Sequence, residues 1–230
     1  MSMKIRGVIF SIDDVLYDTT FQKDSARISA IKAMIEAGLP VDLENGFRVL
    51  KDVIAEHGTD YPKQFDKMLE KLGINHNARV IAAGVVAYRE TSRAYLQPYP
   101  DTIPTIVKLR DVGCKVAAIS GGDPVKQWQK LINLGAQHLF HKVLVAREIG
   151  RKEVDQAVLK RLLQDLKTSV AETLFVGNKI NQDFIAADKM KMTTVRIRRG
   201  MSRTEEVEGR KVSPVYEIET LSELFEIIEG

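Results

Sequence analysis

The sequence predicts an α/β fold, a doubly wound and mostly parallel sheet, Rossmann-like, with an all-α cap inserted after its first strand. Three observations predict it. Short apolar runs end in small or carboxylate-bearing residues, helical stretches separate those runs, and residues 17–95 hold helical periodicity without a strand. Strands divided by helices imply right-handed crossovers and a parallel sheet covered on both faces. The expected division is a core of residues 1–16 and 96–230 around a helical cap of residues 17–95.

The first strand is expected over Lys4–Ser11, where Val8-Ile9-Phe10 runs into the polar turn Ser11-Ile12-Asp13-Asp14, as a buried strand ending at a site would. In the insertion, Ile28, Ile31, Ala33, Met34, Ile35 and Leu39 recur at helical spacing, and Gly38-Leu39-Pro40 is a stop signal. Further apolar sets at Phe47–Ile54, Phe65–Leu72 and Val80–Tyr88 predict three more helices, a small bundle. Alternation then resumes. A helix over Thr102–Val112 precedes a strand over Lys115–Ile119, and a helix over Pro124–Leu134 precedes one over Lys142–Val145. The helix Val154–Lys167 precedes Thr173–Val176, Asp183–Met190 precedes Thr193–Ile197, and a helix over Leu221–Ile228 closes the series.

Composition excludes several classes. Hydrophobic residues make up 44% and charged residues 28%, which is globular and not disordered. The one cysteine, Cys114, excludes an internal disulfide and sits in an apolar run, so a packing role is expected. No apolar run approaches the ~20 residues of a membrane span, and a cytoplasmic location is expected. A net charge of +3 does not argue for nucleic acid. The basic residues Arg196, Arg198, Arg199, Arg203, Arg210 and Lys211 are interleaved with Glu205, Glu206 and Glu208, which reads as a solvated surface. His57, His76, His138 and His141 lack a zinc-ligand pattern.

Sites in open parallel sheets gather at the carboxyl ends of the strands. Four clusters fall at such ends or at a helix start: Ser11, Asp13 and Asp14; Ser120-Gly121-Gly122-Asp123; Gly177-Asn178 with Asp183; and Lys152. Alone, each reads as a cap, a turn or a solvated lysine. Together and in this order they predict one pocket in which hydroxyls, glycine N–H groups and a lysine receive an anion.

The same four clusters resemble the motifs of the haloacid dehalogenase superfamily across nearly the whole chain, and the helical insertion resembles that family's cap. Ala37-Gly38-Leu39-Pro40-Val41-Asp42 and Pro124-Val125-Lys126-Gln127-Trp128 are similar to archaeal members described as glyceraldehyde-3-phosphate phosphatases. The resemblance implies an aspartyl nucleophile, a general acid/base aspartate two residues later, a phosphate-binding Ser or Thr with a lysine, and Mg²⁺ held by carboxylates. Carried onto this chain, the nucleophile position is Ser11, the acid/base is Asp13, and the phosphate-binding residues are Ser120, Gly121 and Lys152. The metal residues are Asp13, Asp183 and Asn178. Glu153 falls on the usual lysine position, with Lys152 one residue earlier.

These departures change the expected chemistry. Ser11 carries no carboxylate, and no His or Lys is placed by the motif to activate it. Asn178 removes a second anion from the metal site. A unit charge a few ångströms from another contributes on the order of several kcal/mol at a moderate effective dielectric, so Mg²⁺ should bind weakly or not at all. The expectation is a phosphatase-like protein, silent or strongly impaired, that binds a small phosphorylated metabolite, a phosphate-like anion or a partner. A working Mg²⁺-dependent phosphatase is the alternative. Tyr17, Phe21, Tyr61 and Phe65 are expected to be cap residues facing the site.

Overall fold

The computed structural model describes residues 4–180, 182–204 and 212–229. Among the described residues six strands form one sheet: β1 (Gly7–Ser11), β2 (Lys115–Ser120), β3 (Lys142–Val145), β4 (Thr173–Gly177), β5 (Thr193–Ile197) and β6 (Tyr216–Ile218). Every neighbouring pair is parallel, in the order β3-β2-β1-β4-β5-β6. The described residues form two compact units, one built from the chain up to Thr19 and from Leu96 onward, the other from Thr20–Tyr95.

The helical unit contains α1 (Thr19–Glu36), whose first residue belongs to the sheet unit, then α2 (Leu43–His57), α3 (Gln64–Lys71) and α4 (Ala78–Ala94). Asp42 caps α2 by accepting the Asn45 N–H at 2.8 Å, and Asn77 caps α4 by accepting that of Val80 at 3.2 Å. Its own core gathers Ile31, Met34, Leu50, Val53, Phe65 and Met68. Helices α1 and α4 approach closely at Gly84, where an added Cβ would lie 2.7 Å from the Met34 side chain.

In the sheet unit, α5 (Thr102–Asp111), α6 (Pro124–Asn133) and α9 (Leu224–Glu229) cover one face, while α7 (Gln156–Leu166) and α8 (Phe184–Lys189) cover the other. The alternation of strand side chains explains both layers. Val8 and Phe10 of β1 pack with Ile106, Leu131 and Phe225, whereas Ile9 packs with Leu159, Leu162 and Phe184. A strand buried on both faces has no polar alternation to display, so Val8-Ile9-Phe10 reads as a continuous apolar run. Each such side chain contributes about 2 kcal/mol through burial. Cys114 is buried, its thiol facing the Ile5 carbonyl at 3.7 Å, and burial pushes the thiol's pKa up.

Strand β6 was not expected from sequence. It has three residues, of which Tyr216 and Glu217 are exposed and only Ile218 is buried, so it carries no apolar run. The first strand also starts later than expected, at Gly7. Among the described residues no helix is long and apolar enough to cross a membrane.

Candidate functional site

Strand register assembles the site. Ser11 pairs with Ile119, which sets Ser120 one residue beyond it on β2. Phe10 pairs with Val176, which sets Gly177 beside Ser11 and Asn178 one residue beyond on β4. The carboxyl ends of the three central strands thus bring the Ser11, Ser120 and Asn178 clusters together. The chain leaves β1 through a tight turn in which the Leu16 N–H reaches back to the Ile12 carbonyl. Asp14 takes a left-handed conformation there (φ 56°), tolerable for a short polar side chain. The loop after β5 lies against Asp14: an added Cβ at Gly200 would sit 2.6 Å from the Asp14 carboxyl group.

The Asp13 carboxylate is heavily engaged. Its Oδ1 accepts hydrogen bonds from the Tyr17 hydroxyl at 2.9 Å, the Thr19 hydroxyl at 3.2 Å and Lys130 Nζ at 2.7 Å, and its Oδ2 accepts from Lys130 Nζ at 2.9 Å. Thr19 Oγ1 in turn accepts the Asp14 N–H at 3.1 Å, tying the turn to the start of α1. Burial, with the Asp13 charge adding to it, pushes the Tyr17 pKa far above its ordinary value and keeps the hydroxyl a donor.

Lys130 comes from α6, the helix that follows Ser120. Asp123 caps that helix by accepting the Lys126 N–H at 2.9 Å, and Pro124 opens it. Gln127 and Leu131 are buried on its inner face, and Lys130 lies between them in helical register, its side chain only 16% exposed. Helical side chains lean toward the helix N-terminus, here the strand end, so a lysine almost two turns in reaches the site. Gln127 Oε1 accepts a third Lys130 bond at 3.2 Å. Sequence reasoning missed both Lys130 and Thr19. No sequence signal marks Lys130, because the burial of Gln127 beside it is visible only in the structure.

Asn178 is fully buried. Its Nδ2 donates to the carbonyls of Ile197 at 2.9 Å and Arg199 at 2.7 Å, a role no carboxylate fills. Its Oδ1 is buried without a partner among the described residues. Asp183 Oδ2 accepts the backbone N–H groups of Asn178 at 2.9 Å and Lys179 at 3.0 Å, and so holds the loop after β4. Burial pushes the Asp183 carboxyl up from the ordinary value, and those two amides oppose the shift. Asn181 of the same loop lies outside the described residues.

Other expected positions divide. The Glu153 backbone runs beside Gly121, whose added Cβ would lie 4.0 Å from Glu153 Cα, and Lys152 precedes it. Both side chains are exposed. Tyr17 is not a cap residue: it is buried in the core of the sheet unit with its hydroxyl on Asp13. Phe65 is a core residue of the helical unit and is too buried to face a ligand. Phe21 stacks edge-on to Tyr95 at 5.1 Å, and Tyr61 stacks on His57 at 4.6 Å. The basic stretch is not a uniform solvated surface. Arg196 is buried against Glu217, because the strand alternation turns it inward. Arg199 pairs with Asp101, lies over the Tyr99 ring and donates to the Val15 carbonyl at 3.2 Å. Glu205, Glu206, Glu208, Arg210 and Lys211 lie outside the described residues.

For a divalent cation, the partnerless Asn178 Oδ1 is a neutral oxygen of suitable type. The rest of the donor set fits poorly. Ser11 is uncharged, the Asp13 carboxylate holds an ammonium, and Asp183 Oδ2 is spent on two amides. Among the described residues no group of three His, Cys, Asp or Glu side chains is gathered as a metal cluster.

Residues 5–190 match the family of haloacid dehalogenase-like hydrolases. A glyceraldehyde 3-phosphate phosphatase of Methanopyrus kandleri is 40% identical over 226 residues, covering 97% of both chains. One from Methanocaldococcus jannaschii is 33% identical, covering 98% of both. In structure, the chain is similar to the HAD-hydrolase YfnB of Bacillus subtilis, described as bound to magnesium (TM-score 0.70, 18% identity, 99% of this chain and 100% of that one). It is also similar to a HAD phosphatase of Thermococcus onnurineus (TM-score 0.64, 22% identity, 98% of this chain and 99% of that one).

Proposed function

Because the chain belongs to the haloacid dehalogenase-like hydrolase family, we propose that it binds a small phosphate monoester at the carboxyl edge of its sheet, with the hydrolytic step silent or strongly impaired. The observation that carries this reading is the pair of residues leaving β1. Ser11 stands at the family's nucleophile position without a carboxylate, and Asp13, at the acid/base position, already accepts from Lys130, Tyr17 and Thr19. A carboxylate whose oxygens accept bonds from three side chains is poorly placed to hand a proton to a leaving group. The binding half survives in this reading. Ser11 and Ser120 offer hydroxyls, Gly121 and its neighbours offer backbone N–H groups, and Lys152 is an exposed cation one residue before Glu153, whose backbone passes near Gly121. Magnesium, which family hydrolases of this type employ, is expected to bind weakly.

The working-phosphatase reading is favoured by a different observation, the near-full-length likeness to proteins named for glyceraldehyde 3-phosphate hydrolysis. Phosphate release from glyceraldehyde 3-phosphate and other small esters, with and without Mg²⁺, separates the two. The native chain should release nothing above the blank, and Ser11→Asp should restore at most weak release, because Asp13 remains bound to Lys130, Tyr17 and Thr19. Magnesium-dependent release by the native chain that Asp13→Asn abolishes would overturn the impaired reading. Asn178 is best left native in this experiment, since its amide holds two carbonyls.

A further inference from the structure

We infer that Lys130 is the resident cation of this site, and that its ammonium, not a magnesium ion, carries the positive charge that receives a phosphate group. The inference rests on the phosphate-binding reading above and deepens it.

Three observations support it. The Lys130 ammonium is fixed: it meets both oxygens of Asp13 at 2.7 and 2.9 Å and Gln127 Oε1 at 3.2 Å, on a side chain only 16% exposed. An ammonium placed there competes directly with a divalent ion for the negative charge of the β1 turn. Secondly, the anionic demand for a metal is reduced, because Ser11 and Asn178 are neutral and the Asn178 amide is committed to the Ile197 and Arg199 carbonyls. A site with fewer carboxylates needs less compensating charge before a phosphate can enter. Thirdly, the exposed Lys152, at the position next to the family lysine, makes no ion pair among the described residues that would fix it, whereas Lys130 is held on an inner helix face.

Lysine has three N–H donors and Asp13 occupies two of them. The contact with Gln127 is the longest of the three. A phosphate oxygen can replace that contact without breaking the ion pair to Asp13. Asp13 then acts as the positioning group that aims the ammonium, and the Ser11 and Ser120 hydroxyls complete the anion's hydrogen bonds.

The test is binding of inorganic phosphate, followed by calorimetry and by ³¹P chemical shift, in EDTA and then in excess Mg²⁺. The native protein, Lys130→Met, Lys130→Arg and Lys152→Met are compared, with circular dichroism checking that each is folded. The expected result is native affinity equal in EDTA and in Mg²⁺, a loss of about tenfold or more in Lys130→Met, and retention of most of it in Lys130→Arg. Binding that requires Mg²⁺, or that falls with Lys152→Met while Lys130→Met is indifferent, overturns the inference and leaves the phosphate site standing. Absence of phosphate binding by the native chain in both conditions overturns the phosphate-site reading, and this inference with it.

Discussion

At the scale of single residues, the candidate site is governed by which atoms are already committed. Asn178 shows this most directly. Its Nδ2 supplies both hydrogens to the carbonyls of Ile197 and Arg199, so the loop after β5 hangs on an amide. Asn178→Asp puts a carboxylate against two carbonyl oxygens and removes both bonds. It is expected to lower stability by roughly 2–4 kcal/mol, read as a fall in the midpoint of urea unfolding at neutral pH. A variant as stable as the native chain would mean that the amide bonds contribute little. Restoring the family's acidic set by sequence alone therefore conflicts with what position 178 now does. That conflict was invisible in the sequence, where Asn178 reads simply as a missing charge. Ser11, by contrast, enters the proposed reading through its identity alone, since the lack of a carboxylate at the end of β1 needs no coordinates to be recognised. Lys130 is the opposite case. A lysine on a helix has the same appearance whether it points to water or into a strand-end pocket, and only the burial of Gln127 and Leu131 on either side of it decides.

At the scale of elements, the strands that carry an apolar run were legible and the one without it was not. β3 and β5 occupy the expected residues, Lys142–Val145 and Thr193–Ile197, because apolar runs flanked by helices leave little choice of boundary. β6 escaped because two of its three side chains face solvent. The junction of β2 and β3 also carries a titrating group. His141 donates its backbone N–H to the Val116 carbonyl at 2.8 Å and accepts the Val116 N–H on its imidazole Nδ1 at 3.1 Å. Accepting that bond requires an unprotonated Nδ1. Burial, and then the positive charges of Lys115 and Arg110, hold the His141 pKa below the ordinary 6.5. A base whose folded pKa is depressed favours the neutral form in the fold, so the unfolded chain takes up more protons below pH 6.5. The contribution of His141 is thus full above about pH 6.5 and lost as pH falls through the lowered folded value. Thermal melts between pH 7 and pH 5 should show the native midpoint falling with acid, and His141→Gln should flatten that slope. An unchanged slope in the variant would place the titration elsewhere.

At the scale of the whole molecule, the described residues divide their apolar side chains between two units, a sheet cored on both faces and a helical bundle with a core of its own. The helical unit buries Ile31, Met34, Leu50, Val53, Phe65 and Met68 among its own four helices, and its two ends meet where Phe21 stacks edge-on to Tyr95. Residues 20–95 expressed alone are therefore expected to fold, with a helical circular dichroism spectrum and a cooperative thermal melt. A gradual, non-cooperative melt would show that this core depends on the rest of the chain. The sheet unit has a different relation to time. β1 is one of the two central strands, and it pairs with β2, from Lys115, and β4, from Thr173. During synthesis Val8, Ile9 and Phe10 emerge before either partner, and the second partner strand follows only after more than 150 further residues. At ordinary elongation rates that interval is roughly 8–30 seconds. Val8-Ile9-Phe10, fully buried once folded, thus waits on the ribosome for its second neighbour while the helical unit behind it is already complete, and a nascent chain of this design has reason to engage a chaperone at that strand.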